Sequence, residues 1–147
     1  MQPLNLPNYS FKIKSAGQRK LIFDEIRKKW IALTPEEWVR QNVVRYLSDE
    51  KGWPVSLMAV ETEIKVNRLS KRCDIVLHDN HGVPVMIVEC KAPAVKITQE
   101  VFEQIARYNM ALKVQYLLVT NGVRHFCCRM DYVWSRYEFV EEIPEYS

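Results

Sequence analysis

The stretch RCDIVLHDNHGVPVMIVECKAP, residues 72–93, constrains the fold more than any other part of the chain. Two runs rich in Val, Ile, Leu and Met flank a polar turn, the pattern of an antiparallel strand pair. Strands this apolar call for burial on both faces. Charge nevertheless sits near their outer ends, with Asp74 on the first arm and Glu89 and Lys91 at the exit of the second. A tight turn at Asn80-His81 pairs Asp79 with Gly82 and sets Asp74 against Ile87. Side chains alternate with period two, so Ile87, Glu89 and Lys91 share the face of Asp74. Glu89 is then its diagonal neighbour at roughly 7–8 Å. Cys73 and Cys90 point the other way, into the core.

The rest of the chain supplies partners for this hairpin. SFKIKS reads as a short edge strand. TPEEWVRQNVVRYLSDEKG predicts a helix: Thr34 as N-cap, Pro35 at the first position, Glu37 completing a capping box, and Gly52 as the stop. Val39, Val43, Tyr46 and Leu47 form its apolar stripe. SLMAVETEIKV adds a strand before the hairpin. TQEVFEQIARYNMALK predicts a second helix, capped by Thr98, with Val101, Ile105, Tyr108 and Leu112 on one face. QYLLVTNGVRHFCCRM reads as two strands around Asn121-Gly122. Helices interleaved with apolar strands imply an α/β fold, a mixed sheet covered on both faces. At 147 residues the expectation is one domain spanning residues 1–147.

Composition narrows the function classes. Four glycines, at 17, 52, 82 and 122, build neither a G-x-x-x-x-G-K-[ST] phosphate loop nor a G-x-G-x-x-G turn, so no nucleotide-driven motor is encoded. No apolar run approaches the ~20 residues that span a bilayer, and no signal-peptide core is present, which points to a cytoplasmic protein without a membrane partner. Cys73, Cys90, Cys127 and Cys128 contain no C-x-x-C pair and read as buried, reduced thiols. Net charge is +3. The cations gather early, at Lys12, Lys14, Arg19, Lys20, Arg27, Lys28 and Lys29, and again at Arg68, Lys71 and Arg72. Of these, Lys12, Lys14, Arg19, Arg27, Lys28, Lys29, Arg68 and Arg72 are the best candidates for phosphate contacts, Lys28, Lys29, Arg68 and Arg72 foremost. Trp30, Trp38, Trp53 and Trp134 read as core or rim.

Two carboxylates facing one another are hard oxygen donors suited to Mg²⁺ or Mn²⁺, with water and a phosphate oxygen completing the shell. Lys91 beside them would orient a water or stabilise charge developing on phosphate. The bland alternative is a charged sheet rim. Glu63-Ile64-Lys65 is such a case, since no aspartate on a neighbouring arm matches its parity.

The spacing D-x14-E-C-K across a strand hairpin resembles the core motif of the PD-(D/E)xK nuclease superfamily. QIARY, Gln104 to Tyr108, is the chain's only Q-x-x-x-Y and matches the signature of that superfamily's RecB-like branch. IFDEIRKKWIALTPEEWVRQ and YLLVTNGVRHF resemble segments of the type I restriction enzyme R-subunit N-terminal domain family. Together these matches cover about residues 20–130. The resemblance implies a restriction-endonuclease-like core, a central mixed sheet flanked by helices. It implies a Mg²⁺-dependent endonuclease hydrolysing DNA, with restriction-system subunits as further partners. Asp74 and Glu89 would ligate the metal with the Cys90 carbonyl, Lys91 would serve the attacking water, and Gln104 and Tyr108 would position the site or DNA. The first-helix acid falls in PEE, with Glu37 preferred to Glu36. Two departures stand out: Cys73 occupies a position often held by proline, and the translocase of type I R-subunits has no counterpart here. The alternative function is a non-catalytic DNA- or partner-binding module with the same fold.

Overall fold

The computed structural model describes residues 1–133 and 135–147. Trp134 lies outside the described residues. The chain begins with a three-stranded antiparallel meander, β1 (Ile13–Ala16), β2 (Arg19–Asp24) and β3 (Lys29–Ala32). Helix α1 (Pro35–Asp49) follows. A 3₁₀ turn at Val55–Leu57 leads into β4 (Met58–Val66), β5 (Leu69–His78) and β6 (Pro84–Cys90). Helix α2 (Gln99–Met110) then crosses to β7 (Tyr116–Thr120), β8 (His125–Asp131) and β9 (Arg136–Phe139). Strands β4 to β9 form one sheet in chain order; β6 and β7 are parallel and the other neighbours antiparallel. The parallel pair needs a crossover, and α2 provides it. This is the mixed α/β architecture the sequence predicts; β9 extends the large sheet, and β2 and β3 join β1 in a separate one. No helix among the described residues is long and apolar enough to cross a membrane.

Both faces of the sheet are covered. Val39, Val43 and Leu47 of α1 pack on Ile75, Leu77, Met86, Val88 and Cys90. Phe102 and Ala106 of α2 pack on Val76, Ile87, Leu117 and Val119. The four cysteines are free and buried. The segment after β9 straps the α1 side: Trp53 Nε1 donates to the Pro144 carbonyl at 2.9 Å, and its ring meets Tyr146 edge-on.

Thr34 caps α1, its hydroxyl accepting from Glu37 N at 3.0 Å. The reciprocal half of the expected capping box is absent, because Thr34 N donates to Ala32 O and the Glu37 carboxylate is bonded elsewhere. Gly52, at φ +74°, turns the chain away after the helix. The buried face of α2 also differs from expectation. Phe102, Ala106 and Asn109 are buried, Val101 and Ile105 half-buried, and Tyr108 exposed. Phe102 rotates the face because its ring lies within 5.0–6.1 Å of Phe126, Tyr137 and Phe139 on β8 and β9. Asn121-Gly122 opens a four-residue connection, closed by Thr120 opposite His125, rather than a two-residue turn.

The β5–β6 register departs from the expected one by two residues. Gly82 N bonds Asp79 O as a tight turn requires, but Asp79 N pairs with Val83 O, and a bulge between Leu77 and His78 adds a further step. Ile75 therefore opposes Val88, and beyond that pair the Asp74 side chain accepts from Cys90 N. The alternation itself inverts here. Ile75 and Leu77 join the α1-side core, whereas Cys73, of the same parity, joins the α2-side core. Across from Asp74, Glu61 of β4 holds a left-handed backbone at φ +52°, between the pairs Val60–Ile75 and Thr62–Cys73. Cys73 and Cys90 are thus both buried, but on opposite faces of the sheet.

Candidate active site

Asp74 lies where the β5 alternation inverts, and both its oxygens are engaged. Oδ2 accepts from the backbone N–H of Cys90 at 2.7 Å, tying the two arms of the hairpin together. Oδ1 accepts from Arg40 Nη2 at 2.8 Å. Arg40 projects from the second turn of α1 with its side chain only 7% exposed, and four carboxylates surround it. Besides Asp74 it contacts Glu61 at 2.7 Å, Glu36 at 3.3 Å and Glu37. Burial opposes the Arg40 charge, but the Asp74 hydrogen bond and the charges of Glu37, Asp74 and Glu61 raise its pKa above the ordinary value.

Glu37 is the buried member of this set. It accepts from Arg27 Nη2 at 2.9–3.0 Å, from Gln41 Nε2 at 2.9 Å and from Arg40. Both oxygens are engaged, so Glu37, preferred as the first-helix acid, would have to leave these partners before it met a metal. Glu36 is different: its side chain is 49% exposed and it accepts from Arg40 at the longer distance of 3.3 Å. Burial of its carboxyl and the charge of Asp74 push its pKa up, against the pull of Arg40 and Lys91. For Glu61, burial raises the pKa, but the Arg72 hydrogen bond and the charges of Arg40, Arg72 and Arg27 bring it below the usual value.

Glu89 faces the α2 side. Its carboxylate is ion-paired with Lys71, whose ammonium lies 5.1 Å from the centre of the Tyr108 ring. Gln104, Ile105, Tyr108, Ser70, Lys71, Arg72 and Glu89 line an open hollow. Gln104 and Tyr108 therefore do share a helical face turned toward the strand ends. Burial lowers the Lys71 pKa, partly offset by Cys73 and Asp74. Lys91 follows at the strand end, half-buried, its N–H donating to Thr120 O of β7 at 2.8 Å. Asp74, Glu89, Cys90, Lys91, Gln104 and Tyr108 thus gather at one end of the sheet, with Asp74 held from α1 and Glu89 held beside α2. Among the described residues no three His, Cys, Asp or Glu side chains form a metal-ligand group.

The expected phosphate contacts fall into two kinds. Lys28, Lys29 and Arg68 are exposed, whereas Arg72 donates to Glu61 at 2.9 Å. Arg27, grouped with them by sequence, is bound to Asp24 and Glu37. Arg40 was not anticipated, nor was the pairing of Lys71 with Glu89. The i, i+3 and i, i+4 spacing of Arg40 from Glu37 and Glu36 was a visible signal; for Lys71 the register was needed.

A family model described as Type I restriction enzyme R protein N terminus (HSDR_N) matches residues 35–144. The chain belongs to that family. The R-protein N-terminal match begins at α1 and leaves the meander outside it. Among solved structures, a fragment described as an HsdR subunit of a type I restriction enzyme from Vibrio vulnificus YJ016 is similar, with a TM-score of 0.53 and 21% identity. The likeness covers 77% of this chain and 24% of that one, and at this identity it speaks for the fold. The chain thus spans about a quarter of the length of the structure it matches. No curated protein matches the chain.

Proposed function

We propose that this R-protein N-terminal chain is a divalent-metal-dependent endonuclease that hydrolyses DNA phosphodiester bonds. The observation that supports the reading is the bond from Cys90 N to Asp74 Oδ2 at 2.7 Å, which holds the hairpin acid at the strand end that carries Glu89 and Lys91. The donor chemistry fits Mg²⁺ or Mn²⁺, which accept two carboxylates and keep several waters. Asp74, Glu89 and the Cys90 carbonyl would hold the ion, with Glu36 of the PEE motif in reserve, once Arg40 and Lys71 release the carboxylates. When bound, the ion would supply Lewis-acid polarisation of a phosphate oxygen and lower the pKa of a bound water.

The chain's own groups have separate tasks. Lys91 offsets the negative charge that builds on phosphate as water oxygen bonds to phosphorus and the bridging P–O bond breaks. Tyr108 and Gln104, on the exposed flank of α2, fix the phosphate backbone beside Glu89. Lys71, displaced from Glu89, remains next to the same phosphate.

Cleavage of duplex DNA in Mg²⁺ or Mn²⁺ by the wild type and by Asp74→Ala and Lys91→Ala tests this. Loss of cleavage with folding retained supports the reading, and undiminished cleavage by either variant overturns it. A second reading, a DNA- or partner-binding module without turnover, is favoured by the full engagement of Asp74 and Glu89 by Arg40 and Lys71. DNA binding with no cleavage in any divalent metal would support it.

A further inference from the structure

Charge is unevenly divided along this chain. Residues 1–34 carry seven Lys and Arg against two carboxylates, a net +5, whereas residues 35–147 carry fourteen against sixteen, a net −2. The whole positive excess therefore belongs to the meander, the part that precedes the family match.

The pairing register sorts those charges by face. Lys14 opposes Leu21, which opposes Ala32; Phe23 opposes Trp30, and Phe23 N bonds Lys12 O; Ala16 opposes Arg19. Lys12, Lys14, Arg19, Phe23 and Trp30 thus share one face of the small sheet. On the other face Ile22 is fully buried. Asp24, the single carboxylate within the three strands, also lies on that other face, buried and bonded to Arg27. Within the three strands no acid stands on the exposed face, although Glu25 of the following turn lines a hollow beside Lys12 and Phe23.

The lysines are also held in place. Lys14 Nζ lies 4.2 Å from the centre of the Trp30 ring and Lys12 Nζ 5.6 Å from that of Phe23. The two rings brace one another edge-on at 5.4 Å. A ring beneath an ammonium group limits its rotamers while leaving its outer side free to donate. A lysine so restrained loses less side-chain entropy when it meets an anion.

We infer that this face of the meander is a sequence-independent docking surface for the phosphate backbone of duplex DNA. The inference rests on the proposed nuclease function and adds to it the surface that holds the substrate. The meander is joined to the site by a chain of ion pairs. Arg27, in the turn between β2 and β3, bonds Asp24 and Glu37, and Arg40 links Glu37 to Asp74. A backbone lying on the meander is therefore anchored against the same α1 end that holds the hairpin acid. An anionic membrane fits less well, because the aromatic rings lie beneath the ammonium groups and are not free to insert.

The test is fluorescence anisotropy of labelled duplexes of two unrelated sequences in EDTA, across a salt series. Without divalent metal, binding is measured whether or not the protein cleaves, so failure of docking and failure of the nuclease reading are distinguishable. The variant is Lys12→Ser/Lys14→Ser/Arg19→Ser, with Lys14→Ser alone as a milder form should the triple variant not fold. Three lost phosphate contacts lower the slope of log K against log salt by about 2.7, and one by about 0.9. Affinity falls about equally for both sequences, and Lys12→Arg/Lys14→Arg keeps the wild-type slope. An unchanged slope in the folded variants overturns the inference. So does loss of binding to vesicles of phosphatidylserine and phosphatidylcholine with DNA binding intact.

Discussion

Replacing Arg40 by Met tests the electrostatic centre of the molecule. The side chain is 7% exposed and stands against Glu36, Glu37, Glu61 and Asp74. Removing one partner of a buried ion-pair set costs about 3–5 kcal/mol, because the remaining charges are left uncompensated. Glu36 is half exposed and Glu61 and Asp74 are partly solvated, so screening sets the expectation at the lower end, about 3 kcal/mol. Methionine fills much of the stem volume, so little of this loss is cavity. If Arg40 is the cation that stands in for the metal on Asp74, Mg²⁺ stabilises Arg40→Met more than the wild type. At a hundredfold above its dissociation constant the ion returns about 2.7 kcal/mol. Urea unfolding of both proteins, in EDTA and in saturating Mg²⁺, measures both quantities. A variant within about 0.5 kcal/mol of the wild type in EDTA would show the network to be slack. Equal Mg²⁺ stabilisation of the two proteins would refute the competition.

Two further outcomes follow from the geometry. Burial raises the Asp24 pKa, but the N–H groups of Ile26 and Arg27 and the Arg27 side chain outweigh it, leaving the carboxyl below its usual 3.8. A depressed carboxyl contributes stability above its unfolded pKa and loses it as pH falls through the folded one. Asp24→Asn is thus less stable at neutral pH, with the gap to wild type closing below about pH 4, as measured by urea midpoints at several pH values. Gly122 sits at φ +85°, and a Cβ there would lie 2.7 Å from Leu4 Cδ2 and 3.2 Å from Val39 Cγ2. Gly122→Ala is expected to lower stability by about 1–2 kcal/mol in the same assay, from backbone strain together with the shift it forces on Leu4, which packs on the α1-side core.

Much of the fold was legible because local chemistry agreed with tertiary need. Thr34 and Thr98 cap the helices whose starts they signal, and the three central strands lie where their β-branched runs place them. The meander was half hidden: RKLIFD and KWIA are short, and their cations read more strongly as a charge cluster than as strands. The hairpin register was missed through a longer turn, closed by Asp79 and Val83, and a bulge after Leu77, neither of which leaves a mark in composition. The two-residue displacement preserved parity, yet Asp74 and Glu89 do not share a face as expected: Asp74 turns to Arg40 of α1 and Glu89 to Lys71 beside α2. What parity could not convey was the inversion at Asp74, where the flanking cores change sides. Arg40, the residue that most shapes the site, bonds an aspartate 34 residues away. Its role needed the packing of α1 on β5, as the loss of Glu37 to Arg27 needed the β2–β3 turn.

The most direct test of the central claim is isothermal titration of Mn²⁺ into the wild type and into Asp74→Ala. The account predicts a saturable heat in the wild type that disappears in the variant. The same heat in both proteins, or none in either, would contradict a metal site built on Asp74 and Glu89.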